Sequence, residues 1–429
     1  MSSTRVRVCL GIIAGLALTI RIGAILYLGD FRPPWALDWE IIAQTLVEKG
    51  YFGLDPISLY GPNPRGVTSF IPPFYPGFLA LMTIIFGPWA WLATRIVQAV
   101  VATLAVVLVY SLGRVVFRRD DIALLGALLA AVFPPLIGGV AEVNAVSFEV
   151  FFLELFVLFT LDAMHRSSWW RWGVAGVVLG IAALTRPTIL ALLPLLPICL
   201  WVNKRQSFRT DVIRPMLVVV ISAIAVISPW TLRNYRVHGE FIAISSNGGI
   251  NFWIGNNERA TGEFIYPTSI DPDLMKVSEH LSEGTRDKFF YRQGFSFIKN
   301  NPQRFVNLLG IKLVYFLWRR PSIGESYKNQ ETVGLGRLAY TVGNGVLLPL
   351  WMLGVVLTIR EWRRLSVFYA AILSVLVVNV LYFVGTRYRT PAAPYQILFA
   401  SCSLIITARY TYQWYKGLSR NAVARYDPR

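Results

Sequence analysis

The sequence predicts an all-α fold: a polytopic transmembrane bundle of about ten to twelve helices, with amphipathic helices and a soluble loop on its outer face. Three observations carry this. Apolar runs of about 20 residues, the length that crosses a bilayer, recur from end to end of the 429-residue chain. Hydrophobic residues make up 55% of it and charged residues only 15%, against about 25% charged in an average soluble domain. Basic residues gather in short segments between the apolar runs, as in cytoplasmic loops: Arg5 and Arg7; Arg114, Arg118 and Arg119; Lys204, Arg205 and Arg209; Arg360, Arg363 and Arg364; Lys416, Arg420 and Arg425.

With those loops held inside, one path satisfies the whole chain. Its spans lie near 6–28, 91–113, 120–141, 144–165, 170–186, 187–202, 212–230, 339–359, 364–385 and 391–410. The first run follows a basic start but is too long for a secretion signal. Outside lie 29–90, the turn near 142–149, the stretch 231–338, and the turn holding Arg387 and Arg389. The chain thus reads as one membrane domain: core spans 6–230, an outer loop 231–338 with an interfacial helix, C-terminal spans 339–410 and a cytoplasmic tail 411–429. The apolar stretches Phe70–Gly87 and Phe305–Trp318 suit interfacial or re-entrant helices, because one extra crossing would invert every loop downstream.

The net charge of +17, from 41 Lys and Arg against 24 Asp and Glu, would suggest nucleic acid in a soluble protein. Its concentration in short loops assigns it to topology instead, so no nucleic-acid partner is expected. Cys9, Cys199 and Cys402 all fall inside apolar runs and read as small packing residues.

In the first outer segment Leu37, Ile41, Thr45 and Lys49 share a helical stripe beside Ile42 and Leu46, while Glu40, Gln44 and Glu48 share another. That pattern predicts an amphipathic helix lying on the membrane surface. Asp38 heads it, either as an N-cap or as a general base kept ionised by the helix N-terminus. Glu142 and Glu149 flank the turn between the third and fourth spans, with Asn144 and Ser147 between them. A divalent cation could sit between Asp38 and Glu149, although no spacing signature demands one and no other cofactor is indicated.

Five arginines fall on the same outer side: Arg186, Arg233, Arg236, Arg387 and Arg389. Guanidinium groups recognise phosphate bidentately, so their convergence against the positive-inside preference predicts an anionic ligand. The stretch NGGINFWIGNN, Asn247 to Asn257, adds the amides Asn247, Asn251 and Asn256 as partners for sugar hydroxyls. Arg21, deep in the first span, either pairs with an acid or snorkels.

Several of these segments, in this order, resemble the C-type glycosyltransferase superfamily, specifically bacterial members similar to protein mannosyltransferases and the aminoarabinose transferase of lipid A. They are Asp38-Trp39-Glu40, Pro72-Pro73-Phe74-Tyr75-Pro76, Arg95 leading to Leu112-Gly113-Arg114, Leu184-Thr185-Arg186-Pro187, Pro229-Trp230-Thr231-Leu232-Arg233-Asn234-Tyr235, NGGINFWIGNNERATG from Asn247, and Arg387-Tyr388-Arg389-Thr390-Pro391. The resemblance runs from about residue 6 to 410. It implies transfer of a sugar from a polyprenyl-phosphate carrier, with inversion, at the outer face of a bacterial inner membrane. It implies Asp38 as base, with Glu40 and Glu149 as the further acids. Family members that modify proteins often carry an extra soluble domain, which makes a lipid-linked or glycan acceptor the expectation. The competing readings are a secondary transporter, which would hold its charges near the bilayer midplane, and another lipid-phosphate-dependent transferase such as a glycan ligase.

Overall fold

The computed structural model of the protein describes residues 2–28, 38–54, 66–166, 168–204, 207–318 and 330–425. Leu37 and Arg205 lie outside them, as do the side chains of Arg420 and Arg425. The described chain is helical throughout, and the bridge between Gly53 and Val67 is its one β pairing.

Helix α1 (Ser3–Leu28) takes the first predicted span, and α2 (Asp38–Lys49) follows it. Next, α3 (Phe74–Phe86) runs through a 3-10 turn into α4 (Ala90–Phe117). The span predicted over 120–141 is broken into α5 (Asp120–Val132) and α6 (Pro134–Gly138). Pro134 has no N–H for the carbonyl of Ala130, four residues back, so the helix cannot continue through it. Helices α7 (Val146–Arg166) and α8 (Trp169–Thr185) match their predicted spans. The span at 187–202 breaks as well, into a 3-10 segment (Pro187–Leu192) and α9 (Leu196–Val202), because Pro187, Pro194 and Pro197 interrupt its hydrogen bonds. Helix α10 (Arg214–His238) outruns its predicted end at 230 and carries Arg233 and Arg236 with it.

The stretch predicted as an outer loop is itself helical. It holds α11 (Gly248–Gly255), α12 (Pro267–Ile270), α13 (Pro272–Glu279), α14 (Glu283–Asn300) and α15 (Pro302–Trp318). The chain ends with α16 (Gln330–Leu357), α17 (Trp362–Leu381), α18 (Thr386–Arg389) and α19 (Ala393–Arg425). Six helical stretches among the described residues are long and apolar enough to cross a membrane: Ser3–Tyr27, Phe74–Phe117, Arg209–His238, Leu338–Leu357, Ile359–Leu381 and Thr386–Trp414. The protein is an integral membrane protein. Helix α7 has the length, at 21 residues, but carries Glu149, Glu154, Asp162 and Arg166.

The bundle closes through small residues. Helix α8 packs along α10, α16 along α19, and α4 against α1, α5 and α7. Ala127, Ala130, Ala131, Ala175, Ala182 and Ala183 lie in the central core beside Phe156, Phe368 and Phe399. Such residues let helix backbones approach closely where lipid offers no hydrophobic drive to associate.

The side that carries α11 to α14 is tied together by a buried polar network. Glu283, at the start of α14, accepts hydrogen bonds from Thr68 Oγ1 (2.5 Å), Ser69 N (2.8 Å) and Ser246 Oγ (3.0 Å). Ser69 Oγ in turn donates to Asn234 Oδ1 of α10 at 2.7 Å. The segment 66–71 is thereby pinned between α10 and α14. Helix α2 differs from the surface helix its pattern predicts. It packs on α3 and buries Asp38, Glu40, Ile42, Ala43 and Thr45. Of the predicted polar stripe, Gln44 and Glu48 are exposed, with Gln44 donating to Glu48 at 2.9 Å.

Two outcomes follow. Residues 207 and 268 are separated by the single span α10, and both are exposed. In a variant lacking the native cysteines, Thr268→Cys should react with an impermeant thiol reagent added outside intact cells and Ser207→Cys should not. The reverse labelling would invert the orientation. Where α16 crosses α19, a Cβ on Gly354 would overlap the carbonyl oxygen of Phe399. Gly354→Ala should therefore cost about 1–3 kcal/mol by overpacking, read as a melting temperature lowered by a few degrees in detergent.

Candidate functional site

Where the regular helices stop, the chain encloses a cavity of about 620 Å³. The start of α2, the segment Phe70–Tyr75 and the start of α7 line it, with residues 185–191 after α8, the stretch 243–251, one face of α14, the end of α17 and the segment 387–391.

Each polar group is presented by a local break. Asp38 is the first residue of α2 and is 4% exposed. Glu149 sits in the first turn of α7, beginning just after Asn144, whose Oδ1 accepts from Val146 N at 3.0 Å. The N-terminal end of a helix favours a carboxylate there. Arg186 precedes Pro187, which forces it out of helical geometry to φ −156° and ψ 113°. Its guanidinium donates to Glu149 Oε2 at 2.5 Å and lies 4.5 Å from the centre of the Tyr388 ring. Arg387, in the one-turn helix α18, donates to the Tyr388 hydroxyl at 2.7 Å and lies 4.8 Å over the same ring. It also reaches the ring of Trp39, next in sequence to Asp38, at 5.8 Å. Tyr388 is thus a shared platform for two cations, a favourable use of the negative face of an aromatic ring.

Six of the sequence-predicted residues line this cavity: Asp38, Glu149, Arg186, Asn247, Asn251 and Arg387. The others do not. Glu40 is buried in α2 outside the lining. Arg233 spends its guanidinium inside the protein, donating to the carbonyls of Thr68 (2.7 Å) and Phe52 (3.0 Å) and to Ser69 Oγ (2.9 Å) while stacked 4.7 Å over Trp230. Arg389 does the same, donating to the carbonyls of Tyr315 and Phe316 at 2.9 and 3.0 Å and to the Tyr340 hydroxyl at 2.8 Å. Asn256 is fully buried and donates to the carbonyls of Phe252 and Leu381, both at 2.8 Å. Arg236 is exposed in the last turn of α10. Arg21 neither snorkels nor lines the cavity: it is fully buried and donates to the carbonyls of Ala17, Ala130 and Ala131. Sequence reasoning missed Trp39, Tyr388, Asp287, Tyr291 and Tyr382, all in the lining.

A cation between Asp38 and Glu149 has a thin donor set. Glu149 is already paired with Arg186, and no group of three or more His, Cys, Asp or Glu side chains among the described residues could hold a metal ion.

Residues 71–232 match the family model described as dolichyl-phosphate-mannose-protein mannosyltransferase. No curated protein matches the sequence significantly. Among solved structures, the archaeal oligosaccharyltransferase AglB of Archaeoglobus fulgidus, in complex with an inhibitory peptide and a dolichol-phosphate, is similar over 97% of this chain and 52% of its own, with 14% identity and a TM-score of 0.58. The apo form of the Archaeoglobus fulgidus enzyme gives 15% identity, 98% and 52% coverage and a TM-score of 0.59. ArnT of Cupriavidus metallidurans, bound to undecaprenyl phosphate, is similar at 11% identity over 94% of this chain and 78% of that one, with a TM-score of 0.43. The chain spans about half the length of the oligosaccharyltransferase chains it matches. A matched segment that opens on the cavity-lining Ile71, together with a likeness in fold over nearly the whole chain, agrees with the sequence motifs: this membrane protein has the fold of the C-type glycosyltransferases.

Proposed function

We propose that the protein transfers a sugar from a polyprenyl-phosphate carrier to a lipid-linked or glycan acceptor at the outer face of a bacterial inner membrane, with inversion at the anomeric carbon. The observation that carries this reading is one adjacency. A buried carboxylate at a helix start, Asp38, and a cation resting on its neighbour Trp39, Arg387, line the same cavity. The family description matched by residues 71–232 and the dolichol-phosphate held by a protein of the same fold support a lipid-phosphate donor.

The chemistry assigns each group a part. Displacing a phosphate from the anomeric carbon passes through an oxocarbenium-like state, so a base must take the acceptor hydroxyl's proton as cations steady the leaving phosphate. Asp38 is the base. Arg387 faces the phosphate, while Arg186 contributes a cation whose charge Glu149 balances and orients. Tyr388 holds both guanidinium groups in place. No step is routed through a metal.

Asp38→Asn keeps the side chain's size and a capping acceptor, so a purely structural Asp38 leaves turnover intact. The base role predicts a folded protein slowed on the order of 10²–10⁴-fold with donor affinity retained. Turnover within about threefold of the parent would assign the base elsewhere, and Glu149→Gln measured beside it shows whether Glu149 takes the part. Arg387→Ala should weaken binding of a polyprenyl-phosphate sugar by about 1.5–3 kcal/mol, and Arg387→Lys should recover only part of that because the fork is lost. Equal donor affinity in parent and Arg387→Ala would remove Arg387 from the phosphate site.

A further inference from the structure

Away from the two arginines, the cavity lining carries a second polar group of different chemistry. Asp287 and Tyr291 stand four residues apart on α14 and so project from the same face of the helix. Both line the cavity, as do Asn251 of α11 and Tyr382 at the end of α17. The glycines that open α11 make this possible. A Cβ on Gly249 would overlap the backbone carbonyl of Asp287, and one on Gly248 would overlap the Tyr291 hydroxyl. Glycine at 249 lets the backbone of α14 lie this close, and glycine at 248 leaves room for the Tyr291 hydroxyl.

The hydrogen-bonding capacity of the group is partly spent and partly open. Asp287 Oδ1 accepts from Gly249 N at 2.6 Å, whereas an ionised carboxylate can accept about four such bonds. Its Oδ2 takes none from the described residues. The Tyr291 and Tyr382 hydroxyls share one hydrogen bond at 3.0 Å, which leaves one of the two protons to donate elsewhere. Asn251 donates to the carbonyl of Asn247 at 2.8 Å, and its own side-chain oxygen accepts from none of the described residues. Burial raises the Asp287 carboxyl above its ordinary value, while the Gly249 N–H and the neighbouring Lys288 and Arg286 pull it down.

A carboxylate repels a phosphate, and the two arginines of the lining both lie at Tyr388. This second group suits a neutral ligand that both donates and accepts along one edge. We infer that Asp287, Tyr291, Tyr382 and Asn251 form a subsite that binds the vicinal hydroxyls of a sugar ring. The rings of Tyr291 and Tyr382, both in the lining, supply an apolar surface beside it. The inference rests on the reading that the cavity takes a lipid-phosphate sugar, and it names the residues that read the sugar rather than the phosphate.

The test uses the full-length protein in detergent or nanodiscs and two kinds of probe. One is bare polyprenyl phosphate; the other is a panel of polyprenyl phosphates carrying mannose, glucose, galactose, N-acetylglucosamine or arabinose. The parent should prefer at least one sugar-bearing carrier over the bare one. Asp287→Ala should remove that preference, weakening the preferred carrier on the order of tenfold to a hundredfold and leaving the bare carrier unchanged. Asp287→Asn retains an acceptor for Gly249 N–H and guards against loss of the fold. It should lose a smaller part, as should Tyr291→Phe. If donor affinity holds but the KM for methyl glycosides offered as acceptors rises, the same hydroxyl subsite serves the acceptor rather than the donor. Equal weakening of bare and sugar-bearing carriers would make Asp287 merely structural, and no change in either assay, or a parent with no sugar preference, would overturn the inference. Failure of the parent to bind bare carrier would instead sink the lipid-phosphate reading on which it rests.

Discussion

The organisation of this protein depends on one constraint: inside a bilayer every backbone carbonyl must find a donor within the protein. An unbroken helix satisfies it locally. This chain breaks its helices repeatedly, and at several of the breaks a buried side chain supplies what the helix lost. The break at Phe133–Pro134 leaves the carbonyls of Ala130 and Ala131 without intrahelical partners, and Arg21 of α1 donates to both. At the turn between α6 and α7, Arg95 Nε donates to the Ala141 carbonyl at 2.9 Å and Gln98 Nε2 to the Glu142 carbonyl at 2.8 Å. Arg389 serves the end of α15, Asn256 the end of α17, and Asn379 the carbonyl of Tyr388 at 3.0 Å. An arginine fork is well suited to this work, since it reaches two carbonyls at once and keeps its charge when buried.

The same breaks build the cavity. A bundle of continuous helices would fill its middle with side chains. Here the ends of α8 and α17 and the starts of α2 and α7 face one another across irregular backbone, which is tolerated at membrane depth only where protein or a water-filled cavity surrounds it. Arg186 and Arg387 both stand beside such interruptions, one immediately before Pro187 and one in the single turn preceding Pro391. Glu149 answers Arg186 across the gap. The site is therefore assembled from helix ends, and residues distant in sequence meet because their helices end around one cavity.

This explains what the sequence made legible. The hydropathy runs placed the apolar segments, because bilayer thickness sets a length that is visible in the chain, and six helical stretches among the described residues have that length and composition. Broken spans at 120–141 and 187–202 were read as continuous, since composition reports only that a segment is apolar, and their prolines were the available signal. Asp38, Glu149, Arg186, Arg387, Asn247 and Asn251 were identified as polar groups on one side, and the structure brings all six to one cavity. Arg233, Arg389 and Asn256 looked the same in sequence and are carbonyl clamps instead. A guanidinium at a span end has the same neighbours in the chain whether it serves a backbone carbonyl or faces a cavity.

The sequence by itself determined that the chain lives in a membrane and which of its segments are apolar enough to enter it. These follow from transfer free energies that each segment carries on its own. Only the tertiary structure decided which of the polar residues share a cavity and which are consumed in holding helices together. It also brought in Asp287, Tyr291, Tyr382 and Tyr388, which no spacing connects to Asp38. The reason is geometric: their meeting depends on the close approach of α11 and α14 over Gly248 and Gly249 and on where α8 and α17 end, and neither is written in any one segment.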